Sequence, residues 1–380
     1  MNVAILGYGT VGKSVVEIIN RNFDDIKIKH ILVKNLEEGD SELLTTSFDD
    51  IINDKEVDVV LEMINGDNPT YSFISRALKS GKNVISSNKL TIATHLEEYV
   101  KLAKENNVQI RYEASVGGGI PNIQGIIKAS RIDYLDSVLG IMNGTSNYIL
   151  DHVKKDNESF DVVLQKAIDL GYAEKDPTAD IGGFDIQRKI MISSSLAYRG
   201  ICDLESVWVT GIENVTLEII NKLDEIGYNV KLIGSSIRKE NKYYMSVEPT
   251  ALSKDSTIAN VNENYNLIQI KGDTIGTLEF FGQGAGGDPT ANAMIQDLLD
   301  IKDNRKDNIS FDNCLEISKK LDYSNYLVFT SAREIFKDVI IEENNSYIKT
   351  KKINSELKEK LMIEARIADE KLFYVRIEGE

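Results

Sequence analysis

A glycine-spaced turn close to the start restricts what this chain can fold into more than any other feature. Residues 2–6 have the apolar texture of a short buried strand; Gly7-Tyr8-Gly9-Thr10-Val11-Gly12 follows, and residues 13–20 carry apolar groups at helical spacing. Strand, tight turn and helix start are the context in which G-x-G-x-x-G holds a dinucleotide. Gly7 makes the turn, Gly9 lets the backbone approach a pyrophosphate, and Gly12 allows close helix–strand packing. The amides of the helix start, at Thr10 and Val11, then face the phosphates. A purely structural turn is the alternative, and its place after an opening strand favours the nucleotide.

The pattern continues as strands over 27–33, 57–62, 83–86 and 108–112, with helices over 71–80 and 97–106. This is a doubly wound (Rossmann) parallel sheet, whose ligands sit at the carboxyl ends of the strands. Gly66, residues 86–89 and residues 113–121 fall along that crevice. An acidic residue ending the second strand would favour NAD, a basic one NADP. Lys34 leans toward NADP while Glu37 and Glu38 follow it closely, so both cofactors stay open. Ser87-Asn88-Lys89 carries a lysine into the crevice, where it could polarise a carbonyl or steady a phosphate. Residues 113–121, Glu-Ala-Ser-Val-Gly-Gly-Gly-Ile-Pro, are too glycine-rich for a helix interior. Their carbonyls, with Glu113, could bind a monovalent cation through oxygen, and the same loop could serve as a hinge.

Composition narrows the partners. At 380 residues the chain allows two or three domains, and 42% apolar with 27% charged residues suits a soluble globular protein. A formal charge of −16 argues against nucleic acid as the main partner. No apolar run approaches the roughly 18–20 residues of a membrane span. Cys202 and Cys314 are isolated, which suits a reducing compartment. With an opening MNVAILGYG that shows no charged leader, a cytoplasmic location is expected. His30, His95 and His152 show no zinc-ligand spacing and read as surface or core residues.

A second polar concentration lies in 170–189, where Glu174, Asp176, Asp180, Asp185, Arg188 and Lys189 surround Pro177 and Gly182-Gly183. If a helix opens near Gly183, Asp185 and Lys189 stand one turn apart on one face, able to hold a small polar molecule and pass it a proton. A solvated loop followed by an ordinary ion pair is the plainer alternative. Around this stretch, strands over 132–142, 207–209, 230–237, 243–247 and 267–272 and helices over 160–170, 185–198 and 217–226 form an α+β domain. Its mixed sheet exposes strands suited to a dimer contact. Trp208, Tyr243 and Tyr244 read as packing. A helix over 290–299 returns to the first domain. From 303 strands over 326–331, 347–352 and 372–378 and helices over 333–339 and 356–368 read as a small αβ appendage. The expected division is therefore 1–130 completed by about 287–302, then 131–286 for substrate and dimerisation, then 303–380.

At these residues the chain resembles the homoserine dehydrogenase family. GYGTVG (7–12), VISSNKLTIA (84–93), YEASVGGGIP (112–121), IMNGTSNYIL (141–150), GYAEKDPTADIGGFDIQRK (171–189) and FGQGAGGDPTANA (281–293) carry the likeness, in order and spacing. It implies reversible NAD(P)-dependent interconversion of L-aspartate 4-semialdehyde and L-homoserine, in the synthesis of threonine, methionine and isoleucine, by a homodimer or higher homo-oligomer. It also implies that Lys189 donates the proton, with Asp185 beside it and Lys89 as a second catalytic lysine. Gly171 and Glu174 would hold the substrate, with Asp180 and Asp185 as further acidic positions. Gly284 would touch the cofactor, and Glu113, Val116, Gly118 and Ile120 would bind a sodium or potassium ion. Two departures stand out: Asp40 where the family often has an arginine, which weakens the case for NADP, and a tail without the aspartate–glycine signature of a regulatory domain.

The chemistry asks for these residue types. Hydride delivery to an aldehyde leaves an alkoxide that must be stabilised and protonated, work two lysines can divide. The substrate ammonium needs a carboxylate, for which Glu174 and Asp180 are available, and its carboxylate needs donors, for which Asn143–Asn147 are candidates. An aspartate-semialdehyde dehydrogenase would need a nucleophilic cysteine with a histidine partner, which neither cysteine context offers. A nucleotide sensor with a dead site is opposed by the presence of Lys89, Asp185 and Lys189 together.

Overall fold

A computed structural model describes residues 1–38, 42–307 and 309–378, so that Asp40 lies outside the described residues. The chain divides into two compact units, 1–131 with 282–312 and 132–281 with 313–380.

In the first unit, β1 (Asn2–Leu6), β2 (Lys27–Leu32), β3 (Leu44–Thr45), β4 (Val59–Glu62), β5 (Asn83–Ser86) and β6 (Ile110–Arg111) form a parallel sheet ordered β3-β2-β1-β4-β5-β6. β1, β4 and β5 are apolar runs buried along almost their whole length, as a sheet covered on both faces requires. The connecting helices are α1 (Thr10–Asn22), α2 (Phe48–Asn53), α3 (Thr70–Lys79), α4 (Lys89–Glu105) and, after β6, α5 (Asn122–Ala129). Strand order reverses between β1 and β4, which sets the ligand crevice beside the carboxyl end of β1. Gly12 faces inward with Val15 and Ile19 on α1. A Cβ at Gly12 would stand 2.2 Å from the Gly7 carbonyl oxygen, and Gly7 itself has φ +100°, so both positions demand glycine.

α4 begins eight residues before the expected 97. Asn88 caps it, its side-chain oxygen accepting from the amides of Leu90 (3.1 Å) and Thr91 (3.3 Å). The β-branched Thr91, Ile92 and Thr94 hide this opening from propensity, and the helix breaks at His95 (φ −125°, ψ 20°) before resuming. α11 (Gly287–Lys302) completes this unit: Ala291, Met294 and Leu298 join the core of Val3, Ile5, Val15 and Ile19. The residues after it are held to the same unit by the buried Arg111, whose guanidinium binds Asp300 (3.0 Å), Asp307 (3.1 Å) and the Arg305 carbonyl (2.7 Å).

In the second unit one mixed sheet takes nearly every strand. Its strands are β7 (Leu135–Ile141), β8 (Trp208–Val209), β9 (Tyr228–Lys239), β10 (Lys242–Ser253), β11 (Tyr265–Gly272), β12 (Gly276–Gln283), β13 (Glu316–Ile317), β14 (Tyr323–Phe329), β15 (Ile340–Glu343), β16 (Ile348–Thr350), β17 (Ile353–Asn354) and β18 (Phe373–Ile377). The order is β12-β11-β7-β9-β10-β18-β14-β16-β15, with β8 and β13 also on β10 and β17 on β14. Its helices are α6 (Gly144–Lys155), α7 (Phe160–Asp169), α8 (Thr178–Ile181), α9 (Phe184–Tyr198), α10 (Leu217–Glu225) and α12 (Ser355–Ala368). α9 is buried on nearly all sides, the pattern of a central helix. α6 and β12 had no counterpart in the sequence reading: Gly144, Thr145, Ser146 and Asn147 are poor helix residues, and β12 opens on a glycine at a sheet edge.

The residues from β14 onward run β14, a 3₁₀ turn (Arg333–Phe336) where a helix over 333–339 was expected, β15, β16, the two-residue β17, α12, β18. With spatial order β18-β14-β16-β15 this is a ferredoxin-like arrangement with its first helix reduced to one turn. It has its own core of Tyr326, Val328, Phe336, Ile348, Met362 and Tyr374. β18 pairs in parallel with β10, so the tail continues the larger sheet.

Candidate active site

The second unit supplies one dense polar cluster. Gly183, at φ +86°, ends the α8 segment and lets the chain enter α9, placing Asp185 in its first turn and Lys189 one turn on. Both are buried, 3% and 7% exposed. The Lys189 ammonium donates to Asp185 Oδ2 (2.7 Å) and to the Met142 carbonyl at the end of β7 (2.7 Å). Asn143, the next residue, donates from Nδ2 to Asp185 Oδ2 (2.9 Å) and to Asp180 Oδ1 (2.7 Å). Its other side-chain atom, Oδ1, accepts from the Ser146 amide (2.8 Å) and so caps α6. One asparagine therefore ties α6, α8 and α9 together around the ion pair. The backbone and hydroxyls of residues 143–147 were the expected donors to a substrate carboxylate; of these the structure engages the side chains elsewhere. Thr145 Oγ1 donates to the Tyr172 carbonyl (2.5 Å), and Asn147 Nδ2 donates to the carbonyls of Val261 (3.0 Å), Glu263 (3.0 Å) and Tyr265 (3.2 Å). Asparagine at a strand-to-helix junction was the available signal for the cap; the reach to 180 and 185 was not readable. Glu174 and Gly171 (φ +77°) lie exposed on the loop after α7, with Glu174 outside the hydrogen-bonded cluster.

The first unit supplies the nucleotide turn. Gly9 caps α1 without any side-chain hydrogen bond, and a Cβ built on it would meet nothing within 4 Å. Thr10 is exposed and Val11 half-buried at the helix start. The late glycine loop closes on this turn: a Cβ on Gly287 would stand 2.9 Å from Thr10 Cγ2, and Ser14 Oγ donates to Asp288 Oδ1 (2.8 Å). Open amides at a helix N-terminus, with a glycine wall beside them, fit a pyrophosphate. At the end of β2 Lys34 is exposed, and Glu38 folds back so that Oε1 accepts from the amides of residues 34 and 35 (3.0 Å each).

Lys89 is the first residue of α4 and half-buried; Ser87 donates its amide to the Glu62 carbonyl (3.0 Å). Sequence reasoning missed what holds this turn. Asn88 Nδ2 donates to the carbonyls of Ile64 (2.7 Å) and Gly66 (2.6 Å), and Ser86 Oγ donates to the fully buried Glu62 carboxylate (2.5 Å). Burial pushes Glu62 up to about 7, against the opposing pull of the Ser86 hydroxyl and the Ile64 amide.

Glu113, Val116, Gly118 and Ile120 are all buried on the loop before α5. The Glu113 carboxylate accepts from the amides of Ile123 (2.8 Å) and Gln124 (2.8 Å), capping α5. Burial, then the neighbouring Asp297, push it up to about 8. Gly118 (φ +57°) packs against the late loop, a Cβ there meeting the Gly284 carbonyl carbon at 2.7 Å. With the carboxylate taken by amides, the oxygens this loop offers a cation are its carbonyls. The three histidines are each paired with carboxylates: His30 with Asp54, His95 with Asp67, His152 with Asp156 and Glu263. Among the described residues no helix is long and apolar enough to cross a membrane.

Comparison with known proteins agrees with this geometry. The family model described as homoserine dehydrogenase matches residues 121–299, and that of the homoserine dehydrogenase NAD binding domain matches residues 7–113. The chain is 38% identical to the homoserine dehydrogenase of Bacillus subtilis over 80% of its own length and 74% of that protein's, and 35% identical to that of Synechocystis over 79% and 73%. A crystal structure of a homoserine dehydrogenase from Thiobacillus denitrificans is 29% identical and superposes with a TM-score of 0.90, covering 100% of this chain and 98% of that one. The S. aureus enzyme at pH 7.5 is 32% identical, with a TM-score of 0.80 and 100% and 99% covered. Two family models over most of the chain, relatives above 30% identity and matching folds place the chain in the homoserine dehydrogenase family.

Proposed function

We propose that the homoserine dehydrogenase reaction of this chain runs on Lys189, Asp185 and Lys89, with Glu174, Gly171 and Asp180 holding the amino-acid end of the substrate. The observation that carries this reading is the Lys189 ammonium fixed between Asp185 Oδ2 and the Met142 carbonyl, 2.7 Å from each. Holding the ammonium between these two acceptors orients the group for proton exchange with the oxygen on the reacting carbon. In the oxidising direction Lys189, as the neutral amine, takes the hydroxyl proton of L-homoserine while the hydride leaves the same carbon; in the reducing direction its ammonium gives a proton to the L-homoserine alkoxide that hydride addition to L-aspartate 4-semialdehyde leaves. Asp185 keeps the lysine in place and, through Asn143, is itself kept in place. Lys89, at the head of α4, is the second catalytic lysine. Asp185 already accepts from Lys189 and Asn143, so the exposed Glu174 is the carboxylate that meets the substrate ammonium, with Asp180 beside it.

The cofactor, when bound, supplies or accepts the hydride. Gly9, Thr10 and Val11 would hold its pyrophosphate through backbone amides on the turn that Gly7 and Gly12 shape, Gly7 giving its own amide to the Leu32 carbonyl (3.0 Å), with Ser87, Lys89 and Gly284 along the same crevice. Lys34 meets the ribose end and admits either NAD or NADP. A sodium or potassium ion on the carbonyls of Glu113, Val116, Gly118 and Ile120 would brace this loop against Gly284. The protein works in the cytoplasm as a homodimer, using exposed sheet strands, in the synthesis of threonine, methionine and isoleucine. The test is absorbance at 340 nm with L-homoserine and each cofactor at alkaline pH. Growth of the signal with one or both cofactors is expected; none with either overturns the reading.

A further inference from the structure

The second unit holds a cavity of about 340 Å³ at the far end of α6 from Asn143, between the last turn of that helix, the start of β9 and the loop at 260–263. α6 has 12 residues, so its ends stand about 18 Å apart. The volume is within the range of small-molecule sites, roughly 300–1,000 Å³. Lys231 lines it from β9 and is only 3% exposed. Its ammonium donates to the Val261 carbonyl (2.6 Å), and among the described residues no carboxylate reaches ion-pair distance. Burial pulls this lysine down to about 8; Asp151 opposes that pull and Lys154 adds to it.

The other charged groups at the rim are already engaged. Lys155 pairs with Glu263 (2.6 Å), Lys154 pairs with Asp224, and Asp151 Oδ2 accepts the Glu263 amide (3.0 Å). Asp151, His152 and Glu263 come within 4.8 Å of one another, but the Glu263 carboxylate is shared between His152 and Lys155, which speaks against a metal there. What stands without an ion pair, although Asp151 on the same wall acts on it through space, is the buried ammonium of Lys231, with Asn260 and Asn262 as further polar groups and Ile220 and Leu150 as apolar walls. A buried cation without an ion pair is costly, and a ligand that supplies the opposite charge offsets part of that cost.

We propose that this cavity is a second ligand site, taking a compact anion, a carboxylate or a phosphate, on Lys231. The site is wired into the fold. Val261, whose carbonyl accepts from Lys231, also accepts from Asn147 Nδ2 (3.0 Å), and Asn147 lies one turn along α6 from Asn143.

The test is calorimetric titration of the full-length enzyme, saturated with NADP to fill the nucleotide phosphate site, with inorganic phosphate and separately with malonate. Saturable binding of either by the wild type is expected, and the arm that binds identifies the source of the anion. Lys231→Met should weaken it at least tenfold while affinity for NADP changes less than twofold. Binding of neither anion, or equal binding by the variant, overturns the proposal. Should Lys231→Met fail to fold, wild-type crystals soaked in phosphate and in malonate decide: density within hydrogen-bond reach of Lys231 Nζ in either soak supports the site, and its absence from both refutes it.

Discussion

Lys189 and Lys358 belong to the same unit, both are buried, and both meet a carboxylate, yet their surroundings ask different things of them. Lys358, on α12, is fully buried; its ammonium lies 3.2 Å from Glu248 Oε2 and 3.3 Å from the Tyr244 hydroxyl, and over the Trp208 ring at 4.7 Å. Around it Arg376 grips Asp322 through two 2.8 Å bonds, and Ser355 Oγ donates to the same carboxylate (2.9 Å). Everything there is sealed between β10 and the tail. Lys189 stands beside Asp180, which is only half-buried, on a segment whose Phe184 and Glu174 are exposed. Buried charge alone does not mark chemistry; a charge held in place beside a segment that reaches solvent is the better candidate.

The sharpest way to break this contrast is Lys189→Ala. Turnover should fall about 10²- to 10⁴-fold, the usual scale of a lost general acid, with cofactor affinity nearly unchanged. Lost nucleotide binding with turnover intact would reverse the assignment. Lys358→Ala should instead leave kcat of the folded fraction alone and cost about 3–5 kcal/mol in chemical denaturation, because Glu248 is left buried without it, whereas Lys358→Met should be tolerated far better. A large drop in kcat with unchanged stability would mean the tail takes part in chemistry.

Carboxylates offer the same contrast. Glu62 is sealed at the end of β4, and its folded pKa of about 7 exceeds the ordinary 4.5. For an acid raised on folding, stability is fully present below the unfolded value and is lost as pH climbs through the folded one. Between about pH 4.5 and 7 this group should remove on the order of 3 kcal/mol at most. Glu62→Gln should flatten that slope in melting experiments, and a slope identical to wild type would place the titration elsewhere. Glu174→Gln, at an exposed site, should raise KM for L-homoserine roughly tenfold with kcat little changed, as a lost charge-assisted contact does; an unmoved KM removes it from the substrate's binding partners. The smallest effect is expected at Lys34→Ala, which should lower NADP affinity relative to NAD by about two- to fivefold, the scale of an exposed ion pair. Equal losses for the two cofactors would mean that Lys34 does not read the ribose phosphate.

Much of the fold lay open in the sequence where order is local. β5 falls on residues 83–86 as read, and the spacing of Asp185 and Lys189 becomes an ion pair once α9 starts after Gly183. What escaped needs partners far along the chain. Asn143 looks like a loop residue until β7 delivers it to Asp180 and Asp185, 37 and 42 positions away. Asn88 turned an expected loop into the head of α4 through its own capping bonds, which propensity undervalued among β-branched neighbours. The pairing of β10 with β18 joins segments more than a hundred residues apart, and no periodicity in either announces the other.

That pairing also limits what evolution or engineering can do with the tail. A module hung on a linker can be clipped off or exchanged, and the host barely notices. Here, cutting after residue 312 would lay bare the flank of β10, a strand otherwise enclosed along nearly its whole length, as an unsatisfied template for other chains. Shortened versions of this enzyme should therefore fail through clumping rather than through loss of control, and the residues from 313 on are better regarded as a keystone than as an accessory.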